Sequence, residues 1–350
     1  MHAVSGRRAC SRFSLVHFCI LAFLHFGILA FLRSSLLAFA FMRIAIVGSG
    51  GVGGYFGGRL AAAGADVAFL ARGRHLQALR TSGLRLESLK GNLHLPSVNA
   101  TDDPTAIGTV DVVFFTVKLY DNESATRLLP PLLGPGTVVI PFQNGVDSVD
   151  LLTRAVGRPH VAGGTAYLAA VLAEPGVIRH TAMDHLVFGE LDGTRGPRLE
   201  RLLECCRLAG FQATLSDHIE IDIWSKFVRL STLSGLTAVT RSPVGLLRDD
   251  PDLFAMLQAA AMETMAVARA KGIPLTRQVF DQMITMVQEL PPNAKSSMLE
   301  DLERGRPLEL PWLSGAVVRI GAEVGVETPI HRFIATVLTP HVSGGTNRRT

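Results

Sequence analysis

The hydrophobic pattern of the chain changes character twice. Residues 13–41 are apolar with little polar interruption, residues 42–217 carry short apolar runs bounded by turn residues, and from about Ile219 apolar positions recur at helical spacing. Arg43–Gly48, RIAIVG, has no polar interruption after its first residue, the signature of a strand buried on both faces. A helical stretch over Tyr55–Ala63 ends at Gly64, and Asp66–Ala71 predicts a second strand, so the opening reads βαβ. Further strands are expected over Asp111–Lys118 and Thr137–Gly145, with apolar runs at Ala162–Val171 and Leu186–Glu190 and a helix over Gly196–Ala209. Helices are expected over Ile219–Leu233, Pro251–Ala270, Thr276–Leu290 and Trp312–Val324, broken at Gly272-Ile273-Pro274, Pro291-Pro292 and Gly305-Arg306-Pro307. The Met256, Met262 and Met265 positions are read as core. The expected organisation is a leader over 1–41, an α/β domain over 42–217, an all-helical domain over 218–341 and a tail over 342–350.

Composition adds little to this and charge removes something from it. With 48% apolar and 18% charged residues, 350 residues suffice for two domains with cores of their own and exclude a disordered chain. The formal charge of +4 equals the four arginines of the leader, Arg7, Arg8, Arg12 and Arg33, which has no acid; beyond it the charges balance. A surface for nucleic acid, which needs clustered Lys and Arg, is therefore not indicated. Cys10 and Cys19 lie in the leader and Cys205-Cys206 are adjacent, which gives neither a disulfide framework nor a zinc spacing. Small apolar thiols in a reducing, cytoplasmic compartment are the expectation. No H-E-x-x-H and no cluster of His and carboxylates points to a metal.

The leader resembles a signal peptide or a first membrane span, but Arg33 interrupts it and no A-x-A site follows. ILAFL at Ile20–Leu24 recurs at Ile28–Leu32, and LLAFA follows at Leu36–Ala40, an echo typical of low complexity. The expectation is a true start at Met42, the alternative being an export or membrane segment.

The strongest chemical signal is Gly48-Ser49-Gly50-Gly51-Val52-Gly53, a G-x-G-x-x-G placed between the first strand and its helix. Gly48 permits the tight turn, Gly50 lets backbone approach a pyrophosphate, and Gly53 allows close helix–strand packing. The second strand ends Phe69-Leu70-Ala71-Arg72, with Arg where NAD sites usually carry an acid; Arg72 can pair with a 2′-phosphate, so NADP is expected. Lys118 and Asn144 stand beyond the carboxyl ends of two strands, where open α/β sheets bind ligands. In the helical half, Lys226 interrupts an apolar helix, and Ser297 and Asp301, four apart, share a helix face ahead of Glu309.

Taken together, IVGSGGVGG, the strand-end VK and QNG, W-x-K, and SSM-x-x-D followed by Glu309 resemble the ketopantoate reductases (2-dehydropantoate 2-reductases), from Met42 to about His341. The resemblance implies a Rossmann domain joined to a helical domain, with an active site between them that uses NADPH to reduce ketopantoate to pantoate on the route to pantothenate and coenzyme A. It implies catalytic roles for Lys226 and Glu309, with Lys226 as general acid, and substrate contacts from Ser297 and Asn144. Cofactor contacts would come from Gly48, Gly50, Gly51, Val52, Gly53, Arg72, Lys118 and Asn144, and Asp301 would support the site. In typical members Asn stands four and eight positions after the catalytic Lys; here Leu230 and Ser234 occupy those substrate-facing positions, which puts the identity of the 2-oxo acid in question. The alternatives are an NADPH-dependent reductase of a different 2-oxo acid and a non-catalytic nucleotide-binding paralogue, the latter disfavoured by retention of Lys226 and Glu309. The expected partner is a small 2-oxo acid, without nucleic acid or metal, with membrane only if the leader is a real segment; a homo-oligomer is compatible with the sequence.

Overall fold

The structure, a computed structural model, describes residues 42–345; the leader over 1–41 and residues 346–350 lie outside the described residues. Its first part contains the strands β1 (Arg43–Val47), β2 (Asp66–Leu70), β3 (Leu84–Ser88), β4 (Leu93–Leu95), β5 (Asn99–Thr101), β6 (Val110–Phe115), β7 (Leu133–Pro141), β8 (Gly163–Glu174), β9 (Val177–Gly189) and β10 (Gln212–Leu215). The helices α1 (Gly51–Ala62), α2 (Gly73–Ser82), α3 (Asn122–Thr126), α4 (Ser148–Val156) and α5 (Pro197–Leu208) lie among them.

Ile44–Val47 are almost fully buried because β1 is central in a parallel sheet of order β5-β2-β1-β6-β7, with Ile44 opposite Val67 on one side and Val112 on the other. This is the nucleotide-binding α/β architecture the sequence predicts. A second sheet, β10-β9-β3-β4, carries the long antiparallel β8–β9 hairpin, which turns at Gly176 with φ +80°. The sequence reading begins β9 at Leu186, whereas pairing begins at Val177. The reason is that Arg179, Thr181, Ala182 and Met183 are exposed on this strand, so its first half lacks a continuous apolar run. Strands β3, β4 and β5 escape prediction because they are three to five residues long and carry exposed Arg85, His94 and Asn99.

The second part is helical: α6 (Ile219–Thr240), α7 (Val244–Asp249), α8 (Pro251–Ala270), α9 (Arg277–Glu289), α10 (Ser297–Glu303), α11 (Ser314–Val324) and α12 (Pro329–Leu338). Helix α6 runs past the expected end at Leu233, because Gly235 marks a close approach and not a break. A Cβ there would lie 2.9 Å from Ser314 Oγ and 3.0 Å from Ile334 Cδ1, so its absence lets α11 and α12 close on α6. Of the methionines expected in the core, Met265 is buried, but Met256 and Met262 are exposed. The buried face of α8 passes through Leu257, Ala260, Ala261, Thr264 and Ala268, and the helical period carries the other two methionines to the outer side.

His331 on α12 is fully buried, with Nε2 3.0 Å from the Ala260 carbonyl and 2.9 Å from Thr264 Oγ1 on α8. Burial lowers its pKa to about 4. The unfolded chain takes up this proton near pH 6.5 and the folded chain only near 4, so stability is complete above 6.5 and lost as pH falls between those values. Urea unfolding from pH 7 to 4 should show wild type losing about 3 kcal/mol more than His331→Gln. Parallel losses in the two proteins would contradict this account.

Candidate active site

The glycine loop leaves β1 through Gly48, whose φ of +103° and whose Cβ position, 2.6 Å from Val117 N, both demand glycine. A Cβ on Gly53 would stand 2.3 Å from Gly48 O, so the loop and the first turn of α1 are in direct contact. At Gly51 a Cβ would stand 2.3 Å from Ala170 O, which brings β8 against the loop, and Val52 packs half-buried on the core. At Gly50, by contrast, a Cβ would meet nothing within 4 Å. Helix α1 starts with no acidic residue in its first turn and no side-chain cap. Its first N–H groups thus have no intrahelical partner and face an open cradle, which fits the pyrophosphate of a dinucleotide. Ser49 Oγ donates to Leu70 O at 2.9 Å and His75 Nε2 lies 2.8 Å from Ser49 O, fixing the loop against β2 and α2.

Arg72 follows β2 immediately and its side chain is 76% exposed. It donates to both oxygens of Asp121, at 2.8 and 2.9 Å, a partner the sequence did not suggest.

The remaining polar residues converge where the two halves meet. Lys118 and Asn144 lie three residues beyond the ends of β6 and β7. Glu309, between α10 and α11, is almost fully buried and accepts from Leu119 N–H and from Asn144 Nδ2, each at 3.2 Å. Lys118 Nζ stands 3.6 Å from Glu309 and 3.3 Å from Asp301 on α10. On α6, Lys226 is buried; its ammonium donates to Ala166 O on β8 at 2.6 Å and to Asn144 Oδ1 at 3.3 Å. Asn144 therefore joins Lys226 to Glu309, accepting from one and donating to the other.

The two lysines are tuned in opposite directions. Burial works against the Lys118 charge, but Glu309 and Asp301 outweigh it and hold the pKa above its usual value. At Lys226 burial dominates, Arg229 adds repulsion and Glu309 only partly compensates, so the pKa falls to about 7. An ammonium poised near neutrality can release a proton to a bound substrate and recover it from solvent.

Ser297, the first residue of α10, is exposed, while its neighbour Ser296 caps the helix by accepting from Leu299 N–H at 3.1 Å. Leu230 is half-buried against the helical core, and Ser234 is fully buried with its Oγ partnered by no described residue. Sequence reasoning missed Tyr167 on β8 and Arg229. The Lys226 Nζ and the Arg229 Cζ lie 5.7 and 4.9 Å from the Tyr167 ring centroid. The signal for Arg229 was present: it is a second basic residue in the same apolar helix, one turn beyond Lys226. Burial raises the thiol pKa of Cys205, to about 11, and of Cys206. Among the described residues no group of three or more His, Cys, Asp or Glu is placed to hold a metal ion. No helix among them is long and apolar enough to cross a membrane.

Residues 44–193 match the family described as Ketopantoate reductase PanE/ApbA, and residues 218–341 its C-terminal counterpart. The chain is 33% identical to the 2-dehydropantoate 2-reductase of Archaeoglobus fulgidus over 304 residues, covering 86% of this chain and 98% of the relative. It is 31% identical to an uncharacterised oxidoreductase of Bacillus subtilis, YkpB, covering 83% of this chain and 95% of that one. Among solved structures, a putative ketopantoate reductase from Ralstonia solanacearum superposes with a TM-score of 0.79 at 35% identity, over 86% of this chain and 98% of the other.

Proposed function

Because the chain belongs to the ketopantoate reductase family, we propose that it reduces 2-dehydropantoate (ketopantoate) to pantoate with NADPH, the step that leads toward pantothenate and coenzyme A. The observation that carries the reading is Lys226: a buried ammonium on the helical half, hydrogen-bonded to Ala166 and Asn144 of the nucleotide-binding half, with a pKa near 7. When bound, NADPH supplies the hydride that reduces the keto carbon. Lys226 meets the charge that develops on the keto oxygen and donates the proton that completes the alcohol. Asn144 orients the ammonium, and Glu309 holds Asn144 and Lys118 in place. Gly48, Gly50, Gly51, Val52 and Gly53 form the phosphate cradle, Lys118 and Asn144 flank the cofactor's reacting end, and Ser297 contacts the substrate from the rim. The test is the loss of NADPH absorbance with purified protein and ketopantoate, beside a panel of other 2-oxo acids. Turnover of ketopantoate supports the reading, and failure to oxidise NADPH with any of them overturns it.

A second reading, a reductase of a different 2-oxo acid, is favoured by Leu230 and Ser234. One is apolar and the other sealed in the interior, so neither offers the substrate an amide.

The preference for NADPH rests on Arg72, which a 2′-phosphate would have to share with Asp121 or take from it. Since Arg72 is exposed, the lower end of a charge-assisted bond is appropriate. Arg72→Ala should weaken NADPH binding by about 1.5 kcal/mol, roughly tenfold, and leave NADH binding nearly unchanged. Fluorescence titration with both cofactors measures this, and equal losses would remove Arg72 from the 2′-phosphate site.

A further inference from the structure

Four arginines among the described residues are half-buried: Arg59, Arg198, Arg229 and Arg248. Three of them donate hydrogen bonds: Arg59 to Gly91 O at 2.9 Å, Arg198 to Glu190 at 2.6 Å, and Arg248 to Leu290 O at 2.9 Å. Arg229 donates to no described residue. Among the described residues its only partner is the face of Tyr167, with Cζ 4.9 Å from the ring centroid. A contact with an aromatic face uses the plane of the guanidinium and none of its five N–H donors. Desolvating those donors without a partner is unfavourable, and burial accordingly lowers the Arg229 pKa.

The placement of this unpaired cation is specific. Residues three apart share a helix face, so Arg229 stands one turn from Lys226, and both approach the same Tyr167 ring. Tyr167 is itself stacked on His185, with ring centroids 6.0 Å apart, and His185 is anchored to Thr214 Oγ1 at 2.8 Å. The platform under the guanidinium is thus tied to β9 and β10. Two neighbouring cations repel, and Glu309, the carboxylate that acts on Lys226, is already engaged by Leu119, Asn144 and Lys118. What the pair lacks is an anion with planar geometry. A 2-oxo acid has one, on the carbon next to the keto group that Lys226 would protonate.

We propose that Arg229 binds the substrate carboxylate and thereby determines the preference of the site for 2-oxo acids over neutral 2-oxo compounds. The assignment rests on the reductase reading above. A guanidinium grips a carboxylate through two parallel N–H bonds, which would fix the keto group's orientation relative to Lys226 one turn away.

The test compares wild type, Arg229→Gln and Arg229→Lys on ketopantoate and on its neutral lactone, with oxamate as a non-reacting anion titrated into the NADPH complex. Arg229→Gln should raise KM for the acid by about 10–100-fold, the weight of a charge-assisted contact, with kcat far less changed. KM for the lactone should scarcely move, oxamate should bind correspondingly more weakly, and Arg229→Lys should fall between. An unchanged ratio of acid to lactone, with oxamate affinity also unchanged, overturns the assignment while leaving the reductase reading intact. If wild type reduces neither compound, the ketopantoate reading fails, and the oxamate titration still decides on Arg229. Melting temperatures and the Lys variant separate lost recognition from lost folding.

Discussion

Replacing Lys226 with alanine should lower kcat by on the order of 10²–10⁴, the usual weight of a positioned general acid. NADPH affinity and melting temperature should change far less than kcat, because the glycine loop is untouched and Asn144 keeps its hydrogen bond to Glu309. The pH profile supplies an independent check. On the proposed mechanism reduction needs the protonated ammonium, and the pKa is lowered to about 7, so kcat/KM should be level below that pH and fall as pH rises through it. The groups that set this limb are Arg229 on the same helix, Glu309 across the cleft, and the burial imposed by β8. A near-normal kcat in the alanine variant would reduce Lys226 to a structural residue.

Glu309→Ala should lower kcat/KM by about 10²–10³, or about 3–4 kcal/mol. The buried carboxylate holds three donors: the Leu119 N–H, the Asn144 amide and the Lys118 ammonium. Its removal forfeits charge-assisted contacts worth about 1.5–3 kcal/mol each and releases Asn144 from its position beside Lys226. Glu309→Gln keeps an acceptor for Leu119 and should recover part of the loss. It should also move the basic limb to lower pH, since Glu309 raises the Lys226 pKa. A loss of activity with the limb unmoved would mean that Glu309 only supports the fold.

The α/β sheet was legible because Ile44–Val47 and Val112–Phe115 are buried on both faces and leave an uninterrupted apolar record. The first half of β9 was not, because a strand exposed on one face at the tip of a hairpin is written largely in polar residues. The glycine loop could be read from spacing alone, since Gly48 and Gly53 have contacts that exclude any side chain. The helical half of the site was readable only as isolated residues. Periodicity shows that Lys226 interrupts an apolar helix, but not that Asn144, more than 80 positions earlier, accepts a hydrogen bond from its ammonium. Tyr167 and Ser234 illustrate the same boundary. An aromatic on a strand and a serine in a helix are ordinary in sequence, and only the packing shows one carrying two cations and the other with its hydroxyl sealed away from any partner among the described residues.

Lys118 and Asn144 belong to loops of the nucleotide-binding half, yet every carboxylate they touch, Glu309 and Asp301, belongs to the helical half. On the function proposed above, the same atoms would serve two binding equilibria. A nucleotide that stabilises one arrangement of these loops alters how well Lys226 and its neighbours are set for the acid. Thermodynamic reciprocity then requires the acid to alter nucleotide affinity by the same factor. On that reading, the joint between the halves is also the place where the two ligands would exchange free energy.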